Sequence, residues 1–470
     1  MFDQSFSAEN YMTIFHEENR KGNIVFDNMP DAYRAIVGEI KGLQDRANVI
    51  TRKKKKDRTG EEIQELEDLR LLIKEKQNDR EQELYDEMYS YAEKVNVNNF
   101  SFPITFYVKD DKQIFTVNDS WENFYALKNL QRILRGLFDV KQDSRHSIMS
   151  NLRLLLNTSR PFYLIRTDVE NFFESIPQDR LYNRIHSNNL INNKTKGLIK
   201  AILDEFNSQK DPTKFEHGCG VPRGIGISSY LSEIYMREID QNIKSREEVV
   251  FYARYVDDIV IVLAGLPNNQ KLTQYYKGLA DYFMEYGLKL KKVSDPDKCK
   301  LIDYYNHSRN ESFKYLGYTI SLSKPRSIVA KFGMSDVKVS RIKGRIDAAF
   351  MRFENISAIS LKQAERDLID SLNLISGNYR LNKSKATVKA GLFFGSDLLT
   401  DFTDLSELTE YLHQKQLILY PEVLKGSQAR DKYIDKIKRK IMGIDFTKRW
   451  TNKVMFKFSS QRLNEISSWL

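Results

Sequence analysis

Ala253-Arg-Tyr-Val-Asp-Asp-Ile-Val-Ile-Val262 sets two adjacent carboxylates, Asp257 and Asp258, inside an otherwise apolar, β-forming run. Adjacent aspartates are common at hairpin tips, because short polar side chains bond their own backbone and tolerate turn geometry. The chain carries its own control. In Phe106-Tyr-Val-Lys-Asp-Asp-Lys-Gln-Ile-Phe115, Lys109 and Lys112 flank the acids and can neutralise them at a solvated tip. Around Asp257 and Asp258 the neighbours are Val256 and Ile259. That setting desolvates the charges, which is costly unless a cation compensates. A metal ion is one such cation, and its other ligands are to be sought elsewhere in the chain.

Upstream, Phe162-Tyr-Leu-Ile-Arg-Thr-Asp168 is an apolar strand ending on an acid, followed by Val169-Glu-Asn-Phe-Phe-Glu-Ser-Ile-Pro177. Asp168 is placed either to hold a cation or to cap the next helical segment. Then comes His217-Gly-Cys-Gly-Val-Pro-Arg-Gly-Ile-Gly-Ile-Ser-Ser-Tyr-Leu-Ser-Glu-Ile-Tyr235, with glycines at 218, 220, 224 and 226. Such a loop lets backbone approach a phosphate or a base, and it equally serves tight turns. Beyond the Asp-Asp hairpin, residues 287–302 are lysine-rich. Phe313-Lys-Tyr-Leu-Gly-Tyr-Thr-Ile320 reads as two short strands bent at Gly317.

In this order, the segments resemble the palm of a reverse transcriptase. Asp168 with Phe173 is similar to the family's first acidic motif, and Gly220-Val-Pro-Arg-Gly224 with Ser228 to its Gly-x-Pro-Gln-Gly…Ser motif. Tyr255-Val-Asp-Asp258 matches the signature hairpin, Lys298 the lysine after Gly-Leu-x-Leu, and Phe313–Ile320 the primer grip. The resemblance spans about residues 130–325. Arg223 departs from the usual glutamine, which alters contacts to template or nucleotide. The Asn-Ala-x-x-His and Val-Thr-Gly motifs of retron enzymes are missing, as are a Cys/His zinc region and a His-Asn-His nuclease. Leu374-Ile-Ser-Gly-Asn-Tyr-Arg-Leu381, in the C-terminal region, resembles bacterial abortive-infection and defence-associated reverse transcriptases.

The resemblance implies an α+β right-hand polymerase: fingers and palm, with an antiparallel sheet packed on helices, then an all-helical thumb-like region. It implies a DNA polymerase, RNA-directed or template-independent, using two Mg²⁺ ions (Mn²⁺ as an alternative) and dNTPs on a 3′-hydroxyl or protein primer, in antiviral defence. Asp168, Asp257 and Asp258 are then the catalytic acids, and with Val169 the metal ligands. Asp168 and Asp257 are the natural bridging pair, with Asp258 assisting. Phe173 is the steric gate against a 2′-hydroxyl. Arg145, as a fingers residue, would grip the triphosphate, and Arg223 and Gly224 belong with the nucleotide. Lys298 either meets the pyrophosphate leaving group or belongs to a generic basic surface. Tyr255, Tyr315, Leu316 and Gly317 would position the primer. Partners are an RNA template or non-coding RNA, the DNA product, and either a second copy or a co-encoded protein.

The rest of the chain frames these motifs. The 470 residues carry a net charge of +10, which favours a polyanionic partner, nucleic acid or an anionic membrane surface. No apolar run is long enough for a bilayer, so nucleic acid gains. Two cysteines, Cys219 and Cys299, allow no disulfide framework or zinc spacing, and with no signal-peptide pattern the cytoplasm is expected. Arg52-Lys-Lys-Lys-Lys56 reads as a solvated charge run ahead of a phosphate contact. Thr59-Gly-Glu-Glu62 is a capping box opening a long charged helix, or a helical hairpin folding back at Asn78-Asp79, in a protruding or partner-binding element. A β-hairpin is expected over 100–118 and helices near 121–138 and 144–157. Nine of ten prolines lie at or before 325, after which only Pro421 remains and the pattern turns helical. The expected divisions are an N-terminal extension (1–98), fingers (99–160), palm (161–325) and thumb-like region (326–470). Basic stretches such as Lys432–Lys440 suit either a duplex backbone or a solvated face.

Two other readings share the palm. An RNA-synthesising polymerase is opposed by Phe173. An inactive nucleic-acid scaffold is opposed by the three intact acids.

Overall fold

The computed structural model describes every residue except 1, 141–142, 158–159, 268–269, 306–309, 324–329, 384–385 and 416–427. The chain forms two compact units, one of Met1–Lys141 with Asn171–Arg237, the other of Gln142–Glu170 with Glu238–Leu470.

The first unit opens with helices α1 (Ala8–Arg20), α2 (Asp31–Thr51) and α3 (Gly60–Asn96), then the hairpin β1 (Ile104–Lys109) and β2 (Lys112–Val117), then α4 (Trp121–Phe138). The capping box at Thr59 forms as the sequence predicts. α3 then runs unbroken past Asn78 and Asp79, so no fold-back occurs there. Its partner in the helical hairpin is α2. Helical propensity carries α3 through the polar middle, and burial of Leu84, Met88, Tyr91 and Val95 anchors its far end. In the control hairpin, Asp110 and Asp111 form a left-handed tip, exposed as expected. The cation beside Asp111 is Lys214, at 2.8 Å.

The second unit takes α5 (Arg145–Leu156) and β3 (Tyr163–Asp168). The chain returns to the first for α6 (Phe172–Ser175), α7 (Gln178–His186), α8 (Asn193–Gln209) and the start of α9 (Ile227–Lys244). The remainder is β4 (Val249–Tyr255), β5 (Asp258–Leu263), α10 (Leu272–Glu285), β6 (Lys300–Asp303), β7 (Glu311–Tyr315), β8 (Tyr318–Leu322), β9 (Lys331–Met334), α11 (Asp336–Ser357), α12 (Leu361–Ser376), β10 (Asn378–Lys383), β11 (Ala386–Gly391), α13 (Thr403–Lys415), α14 (Gln428–Met442), α15 (Phe446–Thr451), β12 (Met455–Phe456) and α16 (Ser460–Trp469).

An antiparallel sheet of order β4-β5-β3-β6 carries the acids. β3 and β5 are buried almost throughout, which explains their continuous apolar runs. A second antiparallel sheet, β7-β8-β9, is bent at the Leu316–Gly317 turn as expected. One core joins α5, both sheets and α11 to α15. The region after 325 is mostly helical but not wholly so. β9, then β10 paired with β11 and, in parallel, with β12, correct the all-helical expectation. The expected boundary at 325–335 falls partly outside the described residues. Cys219 and Cys299 are free thiols. Among the described residues, no helix is long and apolar enough to cross a membrane.

Candidate active site

β3 and β5 pair so that Asp168 stands directly opposite Asp258, and Tyr255 faces Asp258 from β4. Val256 and Asp257 are left as a two-residue turn. Val256 has φ +60°, a region that β-branched residues avoid. Arg254 braces this turn. Its Nη1 donates to the Val256 carbonyl at 2.9 Å, and its Nη2 pairs with Asp240 of α9 at 2.8 Å. The Val169 N–H donates to the Asp257 carbonyl at 3.0 Å and ties the turn to the end of β3. Antiparallel pairing thus brings the distant acids together, with Asp258 and not Asp257 as the direct neighbour of Asp168.

Asp168 is only 4% exposed, and two cations answer its charge. Arg166 Nη2 lies 2.9 Å from Oδ1, and Lys298 Nζ lies 2.8 Å from Oδ2. The same Arg166 nitrogen reaches Asp258 Oδ1 at 2.6 Å. Arg166 Nη1 donates to the carbonyls of Asp297 at 2.9 Å and Lys298 at 2.7 Å. Arg166 is absent from the sequence-derived candidates. Its signal was the strand period: two residues before Asp168, it shares that residue's face.

The two carboxyls titrate as one pair. Burial, then the hydrogen bond and charge of Asp168, push Asp258 up to about 7, against the pull of Arg166. Burial also opposes ionisation of Asp168. Hydrogen bonds with Asp258 and Lys298 and the charge of Arg166 outweigh it and hold Asp168 below the usual carboxylate range. The hydrogen bond to Asp168 raises the Lys298 ammonium. Among the described residues, no three His, Cys, Asp or Glu side chains close into a ready-made metal cage. Mg²⁺ needs none, since it binds through one or two carboxylates plus substrate oxygens and water. Asp168 Oδ1 is buried without a hydrogen bond of good geometry, so the pair has a lone pair to offer a cation. The donor set fits a divalent ion.

In the first unit, Phe172 is core, at 1% exposed, and Phe173 is half-buried. The Arg223 guanidinium lies 4.9 Å over the Phe173 ring and grips Glu174 with two bonds of 2.8 and 2.9 Å. This bidentate pair gives the departure from glutamine a local reason. Gly224, at φ +108°, packs so closely on β2 that a Cβ would stand 2.5 Å from the Phe115 carbonyl. The Arg223 carbonyl accepts the Phe115 N–H at 2.7 Å. Close backbone packing thus accounts for this glycine without a ligand.

Residues 119–320 match the family model for reverse transcriptase (RNA-dependent DNA polymerase). Over these residues the chain is similar to that family. No curated protein matches the chain. Among solved structures, the chain is similar to telomerase from Candida tropicalis in complex with a fragment of telomeric RNA. There the identity is 14% over 78% of this chain and 63% of that one, with a TM-score of 0.34. It is also similar to a truncated apo telomerase from that organism, at 14% identity over 49% and 55% of the two chains and a TM-score of 0.33. The chain therefore spans less than two thirds of these proteins' length, and a likeness this distant carries no weight for function.

Around the Tyr255–Asp258 hairpin, Arg145 is the first residue of α5, with Ser144 as N-cap, and lies 4.7 Å over the Tyr255 ring. It lines a cavity of about 470 Å³ together with His146, Leu316, Gly317, Lys338 and Arg341. The structure thus groups Arg145 with the turn expected to grip the primer. Leu316 and Gly317 are left-handed at φ +45° and +86°. Tyr315 is fully buried beneath them, at 1% exposed. Lys338, drawn to the Gly395 carbonyl and Ser396 hydroxyl, has its ammonium lowered to about 8 by burial. It and Arg341 gave no motif to read from sequence.

Proposed function

We propose that the chain is an RNA-directed DNA polymerase that adds deoxynucleotides to a 3′-hydroxyl, with template-independent addition and a protein primer as variants of that reaction. The observation that carries this reading is the register of β3 on β5, which sets Asp168 against Asp258 beside a turn holding Asp257. Asp168, Asp257, Asp258 and the Val169 carbonyl are the groups to hold two Mg²⁺ ions, or Mn²⁺. Bound there, the ions would stabilise charge on the attacking and leaving oxygens. Arg166 and Lys298 partly neutralise the acids, and the half-exposed Lys298 would leave Asp168 to meet a departing anion. Phe173, stiffened by Arg223, favours a sugar without a 2′-hydroxyl. Arg223 and Gly224 support that segment, and Tyr255, Tyr315, Leu316 and Gly317, with Arg145, form the primer side.

Fingers, palm and thumb are assigned to 99–160, 161–325 and 326–470. A role in bacterial antiviral defence, in the cytoplasm and with a non-coding RNA or co-encoded partner, is supported by the resemblance of residues 374–381. The test is purified protein with Mg²⁺ and labelled dNTPs or NTPs, with and without template and primer. DNA product that disappears in Asp257→Ala supports the proposal. Product from NTPs alone makes the chain an RNA-synthesising enzyme. Nucleic-acid binding without any product makes it a scaffold.

A further inference from the structure

We propose that the tip of the α2–α3 hairpin is a second, sequence-independent contact for the phosphate backbone of a nucleic acid. The hairpin is an arm with its own small core, in which Ile50, Leu66 and Leu69 pack with Leu43 and Ala47. Cross-pairs Arg46–Glu65 and Lys76–Glu39 fix its antiparallel register. Between Leu69 and Leu84, no α3 residue is buried, and at 1.5 Å per residue that bare stretch covers about 20 Å.

Residues 52–58 join the helices and contain six cations and one acid. Two of the six hold the tip together. Arg58 caps the end of α2, donating from Nη2 to the carbonyls of Thr51 at 3.1 Å and Lys53 at 3.0 Å. Lys53 pairs with Glu62, the capping-box residue. The neighbouring acid Glu65 is engaged by Arg46. Arg52, Lys54, Lys55 and Lys56 are exposed, and none forms an ion pair with a described residue. A stapled turn therefore presents four cations against the one acid Asp57, and their mutual repulsion is relieved by a polyanion that releases its counterions.

The chemistry selects phosphates over bases. Lysines are point charges without a plane for bidentate base reading, and residues 50–60 contain no aromatic side chain for stacking. The shaft confines the contact to the tip, because α3 carries twelve acids against five Lys and Arg. This proposal concerns binding alone and stands apart from the polymerase reading.

The experiment uses the full chain with Lys54, Lys55 and Lys56 all replaced by Ala, against a variant with all three replaced by Arg. Fluorescence anisotropy with a labelled single-stranded RNA and an RNA duplex of equal length is read across a salt series. Loss of three contacts should flatten the log affinity–log salt slope by ~2 on the single strand or ~2.7 on the duplex, and weaken binding tenfold or more at ~0.1 M salt. The strand that shows the change identifies the form bound, and the Arg variant should match wild type. Unchanged slopes on both RNAs overturn the proposal. So does a defect confined to anionic phosphatidylserine vesicles or to self-association. All three sites are exposed, so the melting temperature should hold. Repeating the series in Asp257→Ala separates binding at the tip from any failure of polymerisation.

Discussion

Arg166 reaches along β3 and across to β5 to donate a 2.6 Å hydrogen bond to Asp258, while the same nitrogen stands 2.9 Å from Asp168. A buried guanidinium occupies the place between two acids where a divalent cation is wanted. Replacing Arg166 by Met leaves two adjacent buried carboxyls with Lys298 alone. Stripping one partner from a buried charge cluster costs about 3–5 kcal/mol. We expect the metal-free variant to lose about that much in denaturant unfolding, and Mg²⁺ to restore part of it. An equal loss with and without Mg²⁺ would show that Arg166 is only a packing residue.

The pH behaviour of the acid pair follows from its direction of shift. The Asp258 carboxyl rises from an ordinary 3.8 to about 7 in the folded chain. Below 3.8 both folded and unfolded states hold the proton. Between 3.8 and about 7 the unfolded state sheds it and the folded state keeps it, so this group's contribution makes the metal-free protein less stable as pH rises across that window. A bound divalent ion prefers the ionised pair and expels the proton. Mg²⁺ affinity should therefore climb with pH, approaching tenfold per unit below about 7, and level off above it. Calorimetry in two buffers of different ionisation enthalpy would detect the released proton. A flat affinity across the window would rule out this coupling.

What the sequence revealed, and what it hid, divides by range. The hairpin at 104–117, the helix at 121–138 and the capping box at Thr59 are set by neighbours within a few residues, and they form where local signals place them. The Tyr255–Asp258 turn is legible for the same reason. The choice of Asp258 over Asp257 opposite Asp168 depends on the register of β3 on β5, which runs unbroken from Tyr163 opposite Leu263 to Asp168 opposite Asp258. α3 ignores the polar pair at Asn78 and Asp79 because packing beyond Leu84 decides the matter. β12, two residues long and parallel to a strand more than seventy residues earlier, has no local signal at all.

Phe173 and Arg223 give a prediction about sugar selection. With the guanidinium 4.9 Å over its ring and anchored on Glu174, Phe173 has little freedom to tilt. Phe173→Ala should raise incorporation of NTPs relative to dNTPs by roughly 10–100-fold in single-nucleotide addition. Arg223→Ala should give a smaller shift in the same direction, by loosening the ring without removing it. If Arg223→Ala abolishes addition of both sugars equally, its role is in binding the nucleotide and not in holding Phe173.

The four glycines of the loop before α9 are not equivalent, and alanine replacements should rank them. Gly224 combines φ +108° with a Cβ position 2.5 Å from the Phe115 carbonyl, where backbone must move. Gly220, at φ +99°, would press on the Phe215 ring at 2.8 Å, a side chain with some room to turn. Gly218 is left-handed at φ +66°, but its Cβ would meet nothing within 4 Å. Gly226 has ordinary φ, and its Cβ meets the amide end of Gln131, which can swing away. Strain of a left-handed non-glycine is about 1–3 kcal/mol before any clash is added. Gly224→Ala should therefore exceed that range, Gly220→Ala lie near its top, Gly218→Ala near its bottom, and Gly226→Ala cost least. Thermal unfolding of the four variants checks the order. A large loss in catalysis with no loss of stability for Gly226→Ala would mark that position as a substrate contact, whereas Gly224→Ala should lose both together because it displaces the loop from β2.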